Sequence, residues 1–88
     1  MVASRSTPSR QDAAVERLTN LSFALQGAAN SGGSPDRSAA WIRSHVAGYS
    51  DKSDEAFTKA LGRDIATLQR AGVPIVHTGG EDLSLIHI

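Results

Sequence analysis

Three basic residues recur at a helical spacing in the second half of the chain, and their chemistry suits the binding of an anion. With a helical turn of about 100° per residue, Lys59, Arg63 and Arg70 fall within an arc of roughly 60°, with the small Ala66 among them. A stripe of this kind presents positive charge to a phosphate backbone. Solvated faces of amphipathic helices carry the same residues, so the pattern alone leaves both interpretations open.

The opposite side of the same segment is apolar and predicts a helix anchored in a core. Ser53 suits its N-cap, and Gly72 follows its last turn. A packed inner face and an outer face free of bulk and negative charge are what insertion into a DNA groove requires. Four large apolar residues fall within an arc of about 80° almost diametrically opposite the cations: Phe57, Leu61, Ile65 and Leu68.

Two residues of this helix do not fit its faces. Asp64 lies among the apolar positions, and an unpaired buried carboxylate is very unfavourable. We therefore predict an ion pair between Asp64 and Arg17 that clamps the first helix to the third. Gly62 costs about 1 kcal/mol relative to alanine inside a helix. Close approach of another backbone to the helix would explain the glycine at this position. The alternative is that the helix simply tolerates glycine here.

Two further helices are predicted before this one. The first covers residues 12–29, and the second covers residues 36–46 with Asp36 or Ser38 as its N-cap. Trp41 points about 100° away from the buried side of the second helix, so it either covers the edge of the core or contacts a partner. The expected core positions of the two helices are Val15, Leu18, Leu21, Leu25, Ala39, Ile42 and Val46.

Composition limits the classes of function. The 88 residues fit one small domain, without cysteines for disulfides or thiolate zinc sites. No signal peptide and no run near the ~18 apolar residues of a membrane span is present, so we expect a cytoplasmic location and no membrane partner. The net charge of zero weakens a nucleic-acid interpretation. However, residues 72–88 hold two acids and no lysine or arginine, which leaves +2 on the first 71 residues.

Catalytic chemistry is not indicated. His45, His77 and His87 lack metal-ligand spacing, and no nucleophile motif or phosphate loop is complete. We expect no enzyme activity, no metal and no cofactor.

Several segments together resemble one family of regulators. The last of them, residues 63–75 (RDIATLQRAGVPI), looks like the end of the N-terminal winged helix-turn-helix of bacterial WYL-domain transcriptional regulators. Residues 16–25 (ERLTNLSFAL) resemble the opening helix of the proteasome accessory factor B and C branch. Residues 42–49 (IRSHVAGY), followed by 54–57 (DEAF), resemble its next two elements.

The resemblance implies a mostly α fold, a three-helix winged helix-turn-helix with a short C-terminal β-hairpin or strand. It implies a DNA-binding domain of a transcriptional regulator, whose third helix enters the major groove of double-stranded DNA. Full members continue into a WYL ligand-sensing domain, so the chain is expected to be a fragment that forms homo- or hetero-dimers through missing downstream domains. The candidate DNA-facing residues are Thr58, Lys59, Arg63, Thr67 and Arg70, with Arg43 and the wing on phosphates.

Residues 12–78 are the expected DNA-binding domain, between a disordered tail (1–11) and a truncated wing or artefactual tail (79–88). Residues 83–88 (LSLIHI) resemble translated sequencing-adaptor read-through. The alternative is a genuine last strand that pairs with residues 73–77. For the whole chain, the alternative function is a protein-interaction module that uses the exposed face of the third helix and Trp41.

Overall fold

A computed structural model describes residues 10–79 and 85–88 of the chain. These residues form three helices and three short strands. The strands make one antiparallel sheet in the order β1-β3-β2. The predicted fold class, mostly α with three helices and a C-terminal β-hairpin, is confirmed. In chain order the elements are α1 (Arg10–Ala29), β1 (Arg37–Ser38), α2 (Ala39–His45), α3 (Asp54–Arg70), β2 (Val76–Thr78) and β3 (Leu85–His87).

Predicted N-caps are confirmed for α3 and for α2, where Ser38 is the cap, while the first residues of α1 and α2 differ from those predicted. Ser53 caps α3 as predicted, because its hydroxyl accepts a hydrogen bond from the amide of Ala56 at 3.2 Å. The second helix begins at Ala39 rather than residue 36, since residues 37–38 are a strand, and its cap is Ser38. The first helix begins two residues early, at Arg10. Residues 1–9 of the predicted tail lie outside the described residues.

The core lies where the three helices meet the sheet. Leu21, Leu25 and Ile42 are fully buried, and the apolar face of α3 is buried as predicted, apart from the half-buried Leu68. The expectation for Val15 is wrong, because 57% of this residue is exposed. The packed part of α1 is its C-terminal half, and Val15 instead lines an open surface groove beside α3.

The last strand holds the sheet together. In β3, Ile86 is fully buried, with Arg37 of β1 on one side and His77 of β2 on the other. The hairpin of β2 and β3 is therefore present, as the strand alternative expected. The partner strand β1 was not predicted. The origin of residues 83–88 stays a prediction, and Leu83 and Ser84 lie outside the described residues.

A buried cluster of polar groups joins α1, the α2–α3 turn and α3. Arg17 donates from Nε to Oδ2 of Asp64 at 2.6 Å and from Nη2 to Oδ1 at 3.1 Å, which confirms the predicted ion pair. The hydroxyl of Tyr49 donates to Oδ2 of the same carboxylate at 2.6 Å. We call Arg17, Tyr49 and Asp64 the clamp. The three donors supply the hydrogen bonds that a buried carboxylate needs.

Packing around the clamp fixes it further. The ring of Tyr49 meets that of Phe57 edge to face at 5.5 Å, and the Arg17 guanidinium lies 5.6 Å from the Tyr49 ring. Gly48 has a φ of 106°, and a Cβ there would lie 3.1 Å from Cγ of Arg17. The turn thus needs glycine both for its left-handed backbone and for the close approach of Arg17.

Removal of the side chain of Ile86 should destabilise the fold. We expect Ile86→Ala to lower the free energy of unfolding by about 2–5 kcal/mol, because it leaves a cavity in the core. Leu85→Ala is the matched control, since this neighbour is 41% exposed. Thermal denaturation followed by circular dichroism measures both. If a chain ending at Asp82 melts at the same temperature as the full chain, β3 does not contribute to the fold.

Loss of the clamp's charge should be costly. We expect Asp64→Asn to lower the free energy of unfolding by about 3–5 kcal/mol, because it leaves the largely buried Arg17 guanidinium without its anion. Tyr49→Phe should cost less, about 1.5–3 kcal/mol, since it removes one hydrogen bond to a charged group. Urea denaturation measures both. An Asp64→Asn chain as stable as the parent would show that the ion pair does not hold α1 to α3.

The clamp also predicts sensitivity to alkali. Burial, and secondly the hydrogen bond to Asp64, raise the pKa of Tyr49 well above its usual value near 10. Above about pH 10, the unfolded chain loses the phenolic proton of Tyr49, whereas the folded chain keeps it. The free energy of unfolding therefore falls as pH rises, by up to about 1.4 kcal/mol per pH unit.

Tyr49 is the single tyrosine of the sequence, so tyrosinate absorbance reports on this residue alone. We expect its titration to shift to lower pH when urea is added. In the Tyr49→Phe variant, the free energy of unfolding should fall less steeply with rising pH than in the parent chain. Equal titration of the folded and unfolded chains would contradict the buried hydrogen bond.

Candidate nucleic-acid interface

Five of the six predicted DNA-facing residues lie on the outer side of α3. The helix buries its other side, and the clamp fixes its rotation about its own axis, because Asp64 is held in the interior. Lys59, Arg63 and Arg70 are exposed, as is Thr58, while Thr67 is half-buried. Lys59, Arg63 and Arg70 share one exposed side of α3, which we call the cationic face, and Thr58 and Thr67 lie on its two opposite flanks.

The cations of this face have few competing contacts. Lys59 pairs with Glu55 one turn earlier at 3.4 Å, and both side chains are largely exposed, so the pair contributes little in water. Arg70 donates to the hydroxyl of Thr67 at 3.4 Å. Within residues 10–79 and 85–88, the side chain of Arg63 makes no hydrogen bond or ion pair. These charges remain available to an anion.

The two threonines are held by their own helix. The hydroxyl of Thr58 donates to the carbonyl of Asp54 at 3.0 Å, and that of Thr67 donates to the carbonyl of Arg63 at 2.9 Å. Because a hydroxyl also has acceptor lone pairs, each can still accept a hydrogen bond from a base or an ordered water.

Gly62 lies on the exposed side of α3. Among the described residues, no atom comes within 4 Å of the position that its Cβ would occupy. The fold itself therefore does not require glycine here. Together with the small Ala66, Gly62 leaves a shallow surface along the helix, which suits close approach of a backbone from outside the molecule.

Arg43 is tied to the turn between α2 and α3. Its Nη1 lies 2.6 Å from the carboxylate of Asp54, its Nη2 donates to the carbonyl of Lys52, and its guanidinium lies 5.2 Å from the ring of Phe57. These contacts connect α2 to the first turn of α3. Contact between Arg43 and phosphate stays a prediction, and a phosphate would have to compete with the exposed Asp54.

Trp41 packs against the edge of the core, which confirms the first of its two interpretations. Its ring stacks on His45 with centroids 4.3 Å apart and planes 7° apart. The guanidinium of Arg37 lies 5.2 Å from the Trp41 ring. A protein partner that uses Trp41 as an anchor would have to displace these neighbours or use the ring's edge.

A second cationic surface lies between α1 and α3 and was not predicted. It is an open groove of about 660 Å³. Lys52, in the turn before α3, belongs to it, and no helical pattern in the sequence singles out a turn residue. We call this surface the α1–α3 groove, and its lining residues are Ala14, Arg17, Lys52, Ala56, Lys59, Ala60 and Arg63.

Two further features concern the described part of the chain. Its His, Asp and Glu residues form no group of three placed to hold a metal ion. Nε2 of His87 lies 3.9 Å from Asp36, which is a distant pair on the surface. Among the described helices, none combines the length and apolar character needed to cross a bilayer.

Comparison of the chain with models of protein families, with curated proteins and with solved structures finds no match. The resemblance to WYL-domain regulators therefore rests on the sequence segments that carry it.

Proposed function

We propose that this chain is the DNA-binding domain of a transcriptional regulator, with α3 in the major groove of double-stranded DNA. The observation that carries the proposal is the cationic face. The arginines of this face are exposed, and the residue between them, Ala66, is small. The opposite side of α3 is anchored in the core by apolar packing and by the clamp. Recognition helices combine these properties, since base contact requires a rigid helix with an unobstructed outer side.

The order of the elements supports this function. A helix, a strand, two helices and a hairpin follow one another, and the first strand pairs with the last. This order supports the winged helix-turn-helix interpretation of the sequence. The hairpin follows α3 after five residues, so it lies close to the end of the helix that would enter the groove. The hairpin would then contact phosphates beside the bases that α3 faces.

Charge limits how strongly one copy would bind. The net charge is zero, and Asp54 and Glu55 lie in the first turn of α3. Arg43 pairs with Asp54 and Lys59 with Glu55, which reduces their repulsion of phosphates. We therefore expect weak binding by the isolated domain. Strong, sequence-specific binding would come from two copies on adjacent half-sites, held together by further domains as in the WYL-domain regulators that the chain resembles.

Neutralisation of the cationic face should weaken binding without unfolding the chain. We expect Arg63→Ala and Arg70→Ala each to weaken binding to duplex DNA by about 1 kcal/mol or more, and to reduce the slope of log K against log salt by about one where a phosphate contact is lost. Fluorescence anisotropy at several salt concentrations measures both quantities. Melting temperatures should stay within a few degrees of the parent, because both side chains are exposed.

Arg37→Ala is the control, since it removes the same charge from β1, outside the cationic face, where the guanidinium lies beside Trp41. It should leave the salt slope unchanged. If the parent chain does not bind duplex DNA at low salt, the DNA-binding proposal is wrong. If all three variants weaken binding equally, the assignment of α3 to the major groove is wrong.

A further inference from the structure

The α1–α3 groove has the form of a site for an extended anion. Four of its seven lining residues are basic, and the other three are alanines. Ala14 of α1 and Ala56 and Ala60 of α3 give it low walls, because their side chains end at Cβ. At about 660 Å³ the groove is much larger than one phosphate group. Its volume and its basic lining therefore suit a short stretch of sugar–phosphate backbone.

The positive charge of the groove comes chiefly from three of its cations. Arg17 is the fourth cation, but its Nε and Nη2 donate hydrogen bonds to Asp64. Hydrogen bonding to this carboxylate raises the pKa of Arg17. Its charge is thus matched by a carboxylate inside the protein. Lys52, Lys59 and Arg63 line the same space, and the only acid paired with them among the described residues is the exposed Glu55. A phosphate competes well with such a surface pair.

Two hydrogen bonds fix the main chain of Lys52 beside the groove. Its amide donates to the carbonyl of Tyr49 at 3.2 Å, and its own carbonyl accepts from Arg43. Its side chain is half-buried and has no hydrogen bond or ion pair within the described residues. A fixed backbone with an uncommitted ammonium group lowers the entropic cost of holding an anion.

The groove is continuous with the cationic face, because Lys59 and Arg63 belong to both. A helix inserted in the major groove has a phosphate backbone along each side. On the side of α3 that faces α1, such a backbone would meet the groove.

We propose that the α1–α3 groove binds the sugar–phosphate backbone of DNA beside the bases that α3 faces, with Lys52 as its main phosphate contact. This inference rests on the proposed DNA-binding function. Lys52 then acts on affinity and not on sequence preference, because phosphates carry no base identity.

The test compares Lys52→Gln with Arg37→Gln, which removes the same charge from a residue outside the groove. Anisotropy with one duplex is measured between about 0.05 and 0.5 M salt. Each phosphate contact contributes about 0.9 to the slope of log K against log salt, so we expect Lys52→Gln to reduce the slope by about that amount and to weaken binding about eightfold at 0.1 M salt. A set of duplexes of different sequence should all lose affinity equally. Arg37→Gln should match the parent.

The outcomes separate the two proposals. If the parent binds DNA and Lys52→Gln has the same slope as Arg37→Gln, the groove proposal is overturned and the DNA-binding function stands. If Lys52→Gln changes the ranking of duplexes, Lys52 contacts bases and the phosphate assignment is wrong. A further arm uses inorganic tripolyphosphate. A parent chain that is stabilised by tripolyphosphate through Lys52 but does not bind duplex DNA would overturn both proposals in favour of a free phosphate compound.

Discussion

The fold depends on how one buried carboxylate is neutralised. Asp64 is 4% exposed on the inner side of α3, where a lone charge would prevent folding. Arg17 from α1 and Tyr49 from the α2–α3 turn both donate to it, so a single group draws three parts of the chain to one point. Apolar packing alone would tolerate a small rotation of α3, whereas hydrogen bonds of 2.6 Å do not. The direction of the cationic face is therefore a consequence of the clamp.

Four arginines of the described residues fall into two pairs by what they contact. Arg17 and Arg43 are bound to carboxylates and lie against aromatic rings, and both connect α3 to earlier elements. Arg63 and Arg70 project outward and make no ion pair in the described residues. The planar guanidinium suits both roles, since it forms paired hydrogen bonds with carboxylates and with phosphates alike. A net charge of zero is compatible with a locally positive surface, because Lys59, Arg63 and Arg70 share one exposed side of α3.

The sequence predicted those features that depend on local or near-local patterns. The faces of α3 and its Ser53 cap follow from residue spacing and capping preference. The Arg17–Asp64 pair, 47 residues apart, was also predictable, because a carboxylate on an apolar face demands a partner and few cations were placed to reach it. The same reasoning missed Tyr49, since a tyrosine in a turn gives no periodic signal and its hydroxyl finds Asp64 only after the chain has folded.

Other features depend on tertiary pairing and could not be predicted from one sequence. Two residues, Arg37 and Ser38, become a strand only because β3 lies beside them, which also shortens α2. Val15 has helical spacing with the core but lies where no described element covers it. The α1–α3 groove is of the same kind, because it joins a turn residue, Lys52, to side chains of two helices. A linear pattern detects one face of one helix, whereas this groove combines charges from several elements. The clamp sets the position of those elements, so the same buried carboxylate that orients the cationic face also determines how close Lys52 lies to Arg63.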